Sequence, residues 1–222
     1  MKADDTEQKI INILLDKDIV SFSFDPPYVF TTGLKSPIYI DNRLLISYPK
    51  ERAFIVSELV KLIKAKINLK RIDYISSSLS FAAPFGVLIA EALNLPLVLI
   101  KEQQSSHGKK NKIEGHLPKG KKALIVEDHI STGAAVVDNI QTVRDSGGEA
   151  NYCVAITDFE IDVAKNALKE HRITAFTLTS GSSIVDEAVK EKKISEAQKK
   201  DVLEWLKNPV KWGEVRGYYG ED

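Results

Sequence analysis

A disulfide framework is ruled out at once, because the 222 residues contain a single cysteine, Cys153. It lies in the apolar run Tyr152 to Ile156 and is expected in the core. Net charge is also absent: 31 Lys+Arg balance 31 Asp+Glu, which argues against a general nucleic-acid binder. No apolar stretch approaches the roughly 20 residues of a membrane span. The start, Met1-Lys-Ala-Asp-Asp, is acidic and carries no apolar signal region, so a cytoplasmic protein is expected. No Gly-x-x-x-x-Gly-Lys-Ser/Thr motif is present, which argues against a P-loop nucleotide hydrolase. There is no internal repeat and no low-complexity segment. What remains is 43% hydrophobic and 28% charged, the composition of one soluble globular domain with a substantial core.

Residues 6 to 20 read as a short amphipathic helix with Ile10, Ile13, Leu14 and Val20 on one side. Ser21 to Arg43 alternates apolar and polar residues around Pro26-Pro27 and Gly33, as a small strand-rich unit would. Pro49 to Lys66 has apolar residues at helical spacing. Strands and helices then alternate. Strands are expected at 72–76, 97–100, 123–126, 152–157 and 174–178. Helices are expected at 84–93, from about 134 to 146, and at 161–171. Such alternation implies a parallel sheet with helices on both faces. Lys101 to Lys122 is a long polar loop, a length usual for lids. In the tail, Ser183-x-x-Asp186 reads as a helix cap and Ser195-x-x-Gln198 as a capping box.

The stretch Ala123-Leu-Ile-Val-Glu127-Asp128-His129-Ile-Ser131-Thr132-Gly133-Ala134-Ala135 carries the most chemistry. An apolar run suits a central parallel strand, and open α/β sheets place ligands at the carboxyl ends of such strands. Ser131 to Ala135 are small enough for backbone N–H groups to wrap a phosphate, and the following helix points its positive end at it. Two acids a few residues earlier suit ribose hydroxyls or a divalent cation. Each part alone has a plainer reading: acid pairs occur in receiver-like domains, and Ser-Thr-Gly is often only a helix N-cap.

In this order the segment resembles the 5-phosphoribosyl 1-diphosphate (PRPP) motif of type I phosphoribosyltransferases. Phe30-Thr-Thr-Gly33-Leu-Lys35-Ser36-Pro37-Ile-Tyr39-Ile-Asp41-Asn-Arg43 resembles the amino-terminal signature of the orotate phosphoribosyltransferases, with Tyr48-Pro49 at that family's spacing. The tail from Ile184 to Leu206 is also similar. The resemblance implies a type I phosphoribosyltransferase-like α/β fold, a parallel sheet flanked by helices with a small N-terminal hood. It divides the chain into helix and hood (1–45), PRPP-binding core (46–181) and helical tail (182–222). It implies transfer of phosphoribosyl from PRPP to orotate, giving orotidine 5′-monophosphate and diphosphate, with Mg²⁺ accompanying PRPP. Partners expected on the same ground are PRPP, a nucleobase such as orotate and a second copy in a homodimer, with no nucleic acid and no membrane. Lys35, His107 and Asp128 are implied as catalytic. Lys101, Glu127, Asp128, Ser131, Thr132, Gly133, Ala134 and Ala135 are implied as substrate-binding. No protein ligand to the metal is expected beyond Asp128 through water. Tyr39, Asp41 and Arg43 are implied to hold the hood over the base, and His129 is expected as a partly packed surface residue.

Three departures from the family pattern concern positive charge. Phe81 stands where the family has a diphosphate-binding lysine, Ser105 where it has a catalytic lysine, and Phe159 where it has an orotate-binding arginine. A reaction that expels diphosphate needs cations around the leaving group. Lys109, Lys110 and Lys112 follow His107-Gly108 and are candidates to compensate. Two alternatives to orotate transfer stay open: a non-catalytic paralog that binds PRPP or a nucleotide monophosphate, and a transferase for another base, since Phe81 and Phe159 make the pocket more apolar.

Overall fold

The structure is a computed structural model that describes residues 3–30, 32–101 and 112–219. Helix α1 (Ala3–Asp16) buries Ile10, Ile11, Leu14 and Leu15. It stops before residue 20, contrary to the expected span. Asp18 turns the chain with φ 52°, and the Ile19 N–H returns to the Leu14 carbonyl at 3.0 Å. Val20 therefore leaves the helix and opens a strand. The hood is made of two short antiparallel pairs: β1 (Val20–Phe22) with β4 (Ile38–Ile40), and β2 (Tyr28–Val29) with β3 (Lys35–Ser36). Helix α2 (Pro49–Lys66) has the bounds its sequence suggests, with Pro49 at its first turn and Ile55, Leu59 and Ile63 fully buried.

The remaining strands are β5 (Tyr74–Ser78), β6 (Leu97–Ile100), β7 (Ile113–Glu114), β8 (Lys122–Val126), β9 (His129–Ile130), β10 (Glu149–Asp158) and β11 (Thr174–Ser180). They form one sheet in the order β11-β10-β8-β5-β6-β7, with β9 also on β10. All pairings are parallel except β6 with β7. Two sequence expectations shift here. The strand expected at 72–76 begins at Tyr74, because Leu69–Arg71 form a 3₁₀ turn and the Asp73 carboxylate accepts the Lys122 N–H at 2.9 Å. The long polar segment is not loop throughout, since buried Ile113 pairs with Ile100 at the sheet edge.

Helices α3 (Ala83–Leu93), α4 (Ala134–Asp145) and α5 (Asp162–Glu170) cross between these strands. The crossover from β5 runs one way along the sheet and those from β8 and β10 the other, so α3 lies on one face and α4 with α5 on the opposite face. Gly86 lets α3 press on β5: a Cβ there would stand 2.6 Å from the Ser77 Cβ. Three tail helices follow, α6 (Gly181–Lys190), α7 (Glu196–Lys207) and α8 (Pro209–Val215). The expected cap at Ser183 is not one. Ser180 caps α6, its Oγ accepting from the Ser183 N–H at 3.3 Å, and Ser183 lies inside the helix. The Ser195–Gln198 capping box is present as read, with both reciprocal bonds made.

Candidate active site

Across the sheet the strands that cross over lie in the order β11-β10-β8-β5-β6, so the connection that follows β5 and those that follow β8 and β10 leave the centre in opposite directions. Open α/β sheets leave a crevice at that reversal, beyond the carboxyl ends of the strands. A cavity of about 600 Å³ opens there. Ser78, Ser80 and Phe81 line it from the end of β5, Ile100 and Lys101 from β6, Glu127 to His129 from β8 and β9, and Phe159 from β10. The hood closes it with Phe30, Leu34, Tyr39, Asp41 and Arg43.

Glu127 and Asp128 sit side by side at its floor. Glu127 is 3% exposed, and burial lifts its carboxyl to about 8, with the neighbouring Asp128 charge pushing the same way. Asn139 and Ser78 pull it down. Asn139 is near enough to act on the carboxyl, yet Glu127 Oε1 and Asn139 Nδ2 are buried and neither has a partner at hydrogen-bonding geometry among the described residues. Asp128 is raised to about 6, mainly by burial and against the pull of backbone N–H groups and Arg43. Its backbone carbonyl is fixed by the Asn42 Nδ2 at 2.7 Å. One unpaired acceptor and one unpaired donor suit a hydroxyl, which gives one hydrogen bond and takes others.

Ser131 to Ala135 form the turn into α4. Gly133 is the N-terminal flanking residue at φ 80°, and a side chain there would crowd the Ala164 backbone at 3.4 Å. The left-handed conformation is one that side chains resist. Thr132, Ala134 and Ala135 are exposed. The first N–H groups of α4 lack helical acceptors and face outward at its positive end, an arrangement that binds anions.

Among the described residues, the cations lining the cavity are Arg43 and Lys101. Arg43 grips Asp41 through two nitrogens at 2.5 and 2.6 Å, which raises its pKa further, and its guanidinium stacks 4.8 Å over the Phe81 ring. Lys101 pairs with Glu114 of β7 at 2.8 Å. Lys112 reaches Asp138 on the cavity rim at 2.6 and 2.7 Å. Lys35 does not line the cavity. The tail clamps its backbone: its N–H donates to the Tyr219 hydroxyl at 2.8 Å and its carbonyl accepts from Trp205 Nε1 at 2.7 Å. His107, Ser105, Lys109 and Lys110 lie outside the described residues. No three His, Cys, Asp or Glu side chains among the described residues cluster as a metal site.

His129 is partly buried, as expected, and stands in the cavity wall. It lines the cavity with Nδ1 2.8 Å from Thr157 Oγ1, and burial lowers its pKa to about 3. Phe159 is 2% exposed and packs edge-on between His129, at 4.2 Å, and Trp205, at 5.0 Å. Sequence reading missed Asn139. The available signal was an amide among Val136, Ile140 and Val143, at core spacing on α4. Asn42 and Thr157 gave no signal, because what makes them matter is that they meet.

No family model matches the chain. An orotate phosphoribosyltransferase of Coxiella burnetii is 34% identical over 204 residues, covering 92% of this chain and 97% of its own length. One from Listeria innocua is 32% identical over 207 residues, covering 93% and 98%. Among solved structures, the UMP synthase of Leishmania donovani matches at TM-score 0.74 and 27% identity, over 89% of this chain and 41% of that one. An orotate phosphoribosyltransferase from Aeropyrum pernix matches at TM-score 0.71 and 20% identity, over 82% and 98%, a likeness of fold.

Proposed function

This chain belongs to the orotate phosphoribosyltransferase family, and from that premise we propose that it transfers the phosphoribosyl group of PRPP to orotate, releasing diphosphate and orotidine 5′-monophosphate. The observation that supports it most is the cavity at the sheet's reversal point, with Glu127 and Asp128 beside the turn 131–135 and a hood above. The 5-phosphate belongs on the N–H groups of that turn. The ribose hydroxyls belong on Glu127, Asp128 and Asn139, where the unpaired Oε1 and Nδ2 meet a group that both donates and accepts.

PRPP arrives as its magnesium complex, which supplies positive charge to the leaving diphosphate. Asp128, the more open acid, would hold that ion through water. Arg43 and Lys101 add charge from the two sides of the cavity. As the ribose carbon becomes cationic, the acid pair beneath it favours the developing charge. Lys109, Lys110 and His107 would complete the site from the segment that follows Lys101. The working form we propose is a cytoplasmic homodimer.

One observation favours a second reading, binding without turnover: Phe81 offers a half-exposed ring, already stacked on Arg43, where a lysine would serve the diphosphate. Incubating the purified chain with orotate, PRPP and Mg²⁺ separates the two. Loss of orotate absorbance with release of diphosphate supports transfer, and PRPP binding without either supports the second reading.

A further inference from the structure

The acid pair stands at the carboxyl end of β8, and the cavity differs on its two sides. Toward β10 the wall is aromatic: Phe159 packs on Trp205, Trp205 on Phe30, and Phe30 on Tyr39. That side offers flat surface to a planar base. Toward β5 and β6 the lining is Ser78, Ser80, Phe81 and Lys101. With the 5-phosphate on the turn 131–135 and the ribose on Glu127 and Asp128, the diphosphate has the second side open to it.

Arg43 reaches that side from the hood. Asn42, the residue before it, donates to the Asp128 carbonyl at 2.7 Å, which fixes this part of the hood beside the acids. The Arg43 guanidinium then lies over Phe81, 4.8 Å from the ring centre. Both Asp41 oxygens accept from it, one from Nε at 2.5 Å and one from Nη2 at 2.6 Å, and Nη2 also reaches the Tyr39 hydroxyl at 3.3 Å. Nη1 makes no hydrogen bond to another described residue, and the side chain is 40% exposed where it lines the cavity. Phe81 is itself 51% exposed in that lining. The face of an aromatic ring attracts a cation, and a planar guanidinium lies flat on it. A carboxylate along one edge and a ring against one face leave the group little freedom to turn.

We propose that Arg43 contacts the diphosphate of PRPP through Nη1, and that Asp41 and Phe81 are positioning residues that fix its plane and direction. The proposal rests on the phosphoribosyltransferase reading above and deepens it by naming the group that meets the leaving diphosphate. The contact is a charge-assisted hydrogen bond from a donor already aimed, so its strength comes from direction as well as charge. When the bond from the ribose carbon to the diphosphate oxygen breaks, its electron pair stays on that oxygen, and a donor at the diphosphate favours the charge that develops. Phe81, which carries no charge of its own, holds the hood's cation above the end of β5.

Calorimetric titration with PRPP–Mg²⁺ and with ribose 5-phosphate, which lacks the diphosphate, tests this. R43Q should weaken PRPP–Mg²⁺ binding about 10- to 100-fold and leave ribose 5-phosphate within about twofold of the native value, which also shows that the site has folded. R43Q leaves the Asp41 charge unpaired, so the double variant D41N/R43Q is measured beside it and should weaken PRPP–Mg²⁺ binding as much. F81L, which removes the ring, should weaken it about three- to tenfold, and F81Y, which restores a ring, should bring it back to within about twofold. Equal loss for the two ligands, no loss in R43Q, or native affinity in the double variant would overturn the contact. Equal affinities of F81L and F81Y would overturn the role of Phe81. If the native chain binds PRPP without consuming orotate, transfer fails, and the same titrations still decide the Arg43 proposal. A native chain that binds no PRPP at millimolar concentration removes both.

Discussion

Glu127 is held between two demands, because its site favours the protonated form in the free protein and a ribose ligand favours an acceptor. With the folded value near 8 against an ordinary 4.5, the folded chain binds more protons than the unfolded chain between those limits. Its contribution to stability is thus present at low pH and is lost as pH rises through about 8. Asp128 acts in the same sense, from 3.8 to about 6. His129 acts in the opposite sense: its folded value near 3 lies below 6.5, so its contribution is present above 6.5 and is lost as pH falls. Of these three, Glu127 dominates from about pH 7 to 8, where folded Asp128 and unfolded His129 are already mostly deprotonated. Stability measured by denaturant titration should fall across that window, and E127Q should flatten the fall. D128N should weaken PRPP–Mg²⁺ binding about 10- to 100-fold in a calorimetric titration, the loss of charge-assisted hydrogen bonds. Glu127 and Asp128 were legible in the sequence because they follow a strand-like run and precede a small-residue turn. The place of His129 in the cavity wall was not legible, since its partner Thr157 lies 28 residues away and Asn42, which bonds Thr157, lies 115 residues from that threonine.

At the scale of elements, the turn into α4 and the tail helices hold the site in shape. G133A places a side chain at φ 80° against Ala164. It should cost about 1–2 kcal/mol, read as a fall of about 4 °C in Tm, and should weaken PRPP binding by opening the turn. The tail reaches the hood through Trp205, whose ring touches Phe30 and Phe159 and whose Nε1 donates to the Lys35 carbonyl. W205F keeps an aromatic ring but leaves that carbonyl unpaired. It should destabilise the chain by about 1–3 kcal/mol in thermal unfolding. The bounds of α2 were legible because Pro49 opens it and its apolar residues keep helical spacing. The two-residue β7 was not, because a strand that short has no periodicity and is specified by its partner, β6.

Over the whole molecule, strand order explains why one cavity collects residues from so much of the chain. The reversal between β5 and β8 opens a crevice, the hood roofs it, and the tail ties the hood to the core. The alternating fold was readable from periodicity, and the turn into α4 from its small residues. The balance of charge was not, because the pairing of Arg43 with Asp41 and of Lys101 with Glu114 exists only once the elements meet. That balance decides whether a bound PRPP gives up its diphosphate. The direct test is orotate turnover with PRPP and Mg²⁺, measured beside PRPP binding on one preparation of the chain. Orotate consumption matched mole for mole by diphosphate is the expected result. PRPP binding with no consumption of orotate at millimolar substrates would contradict it.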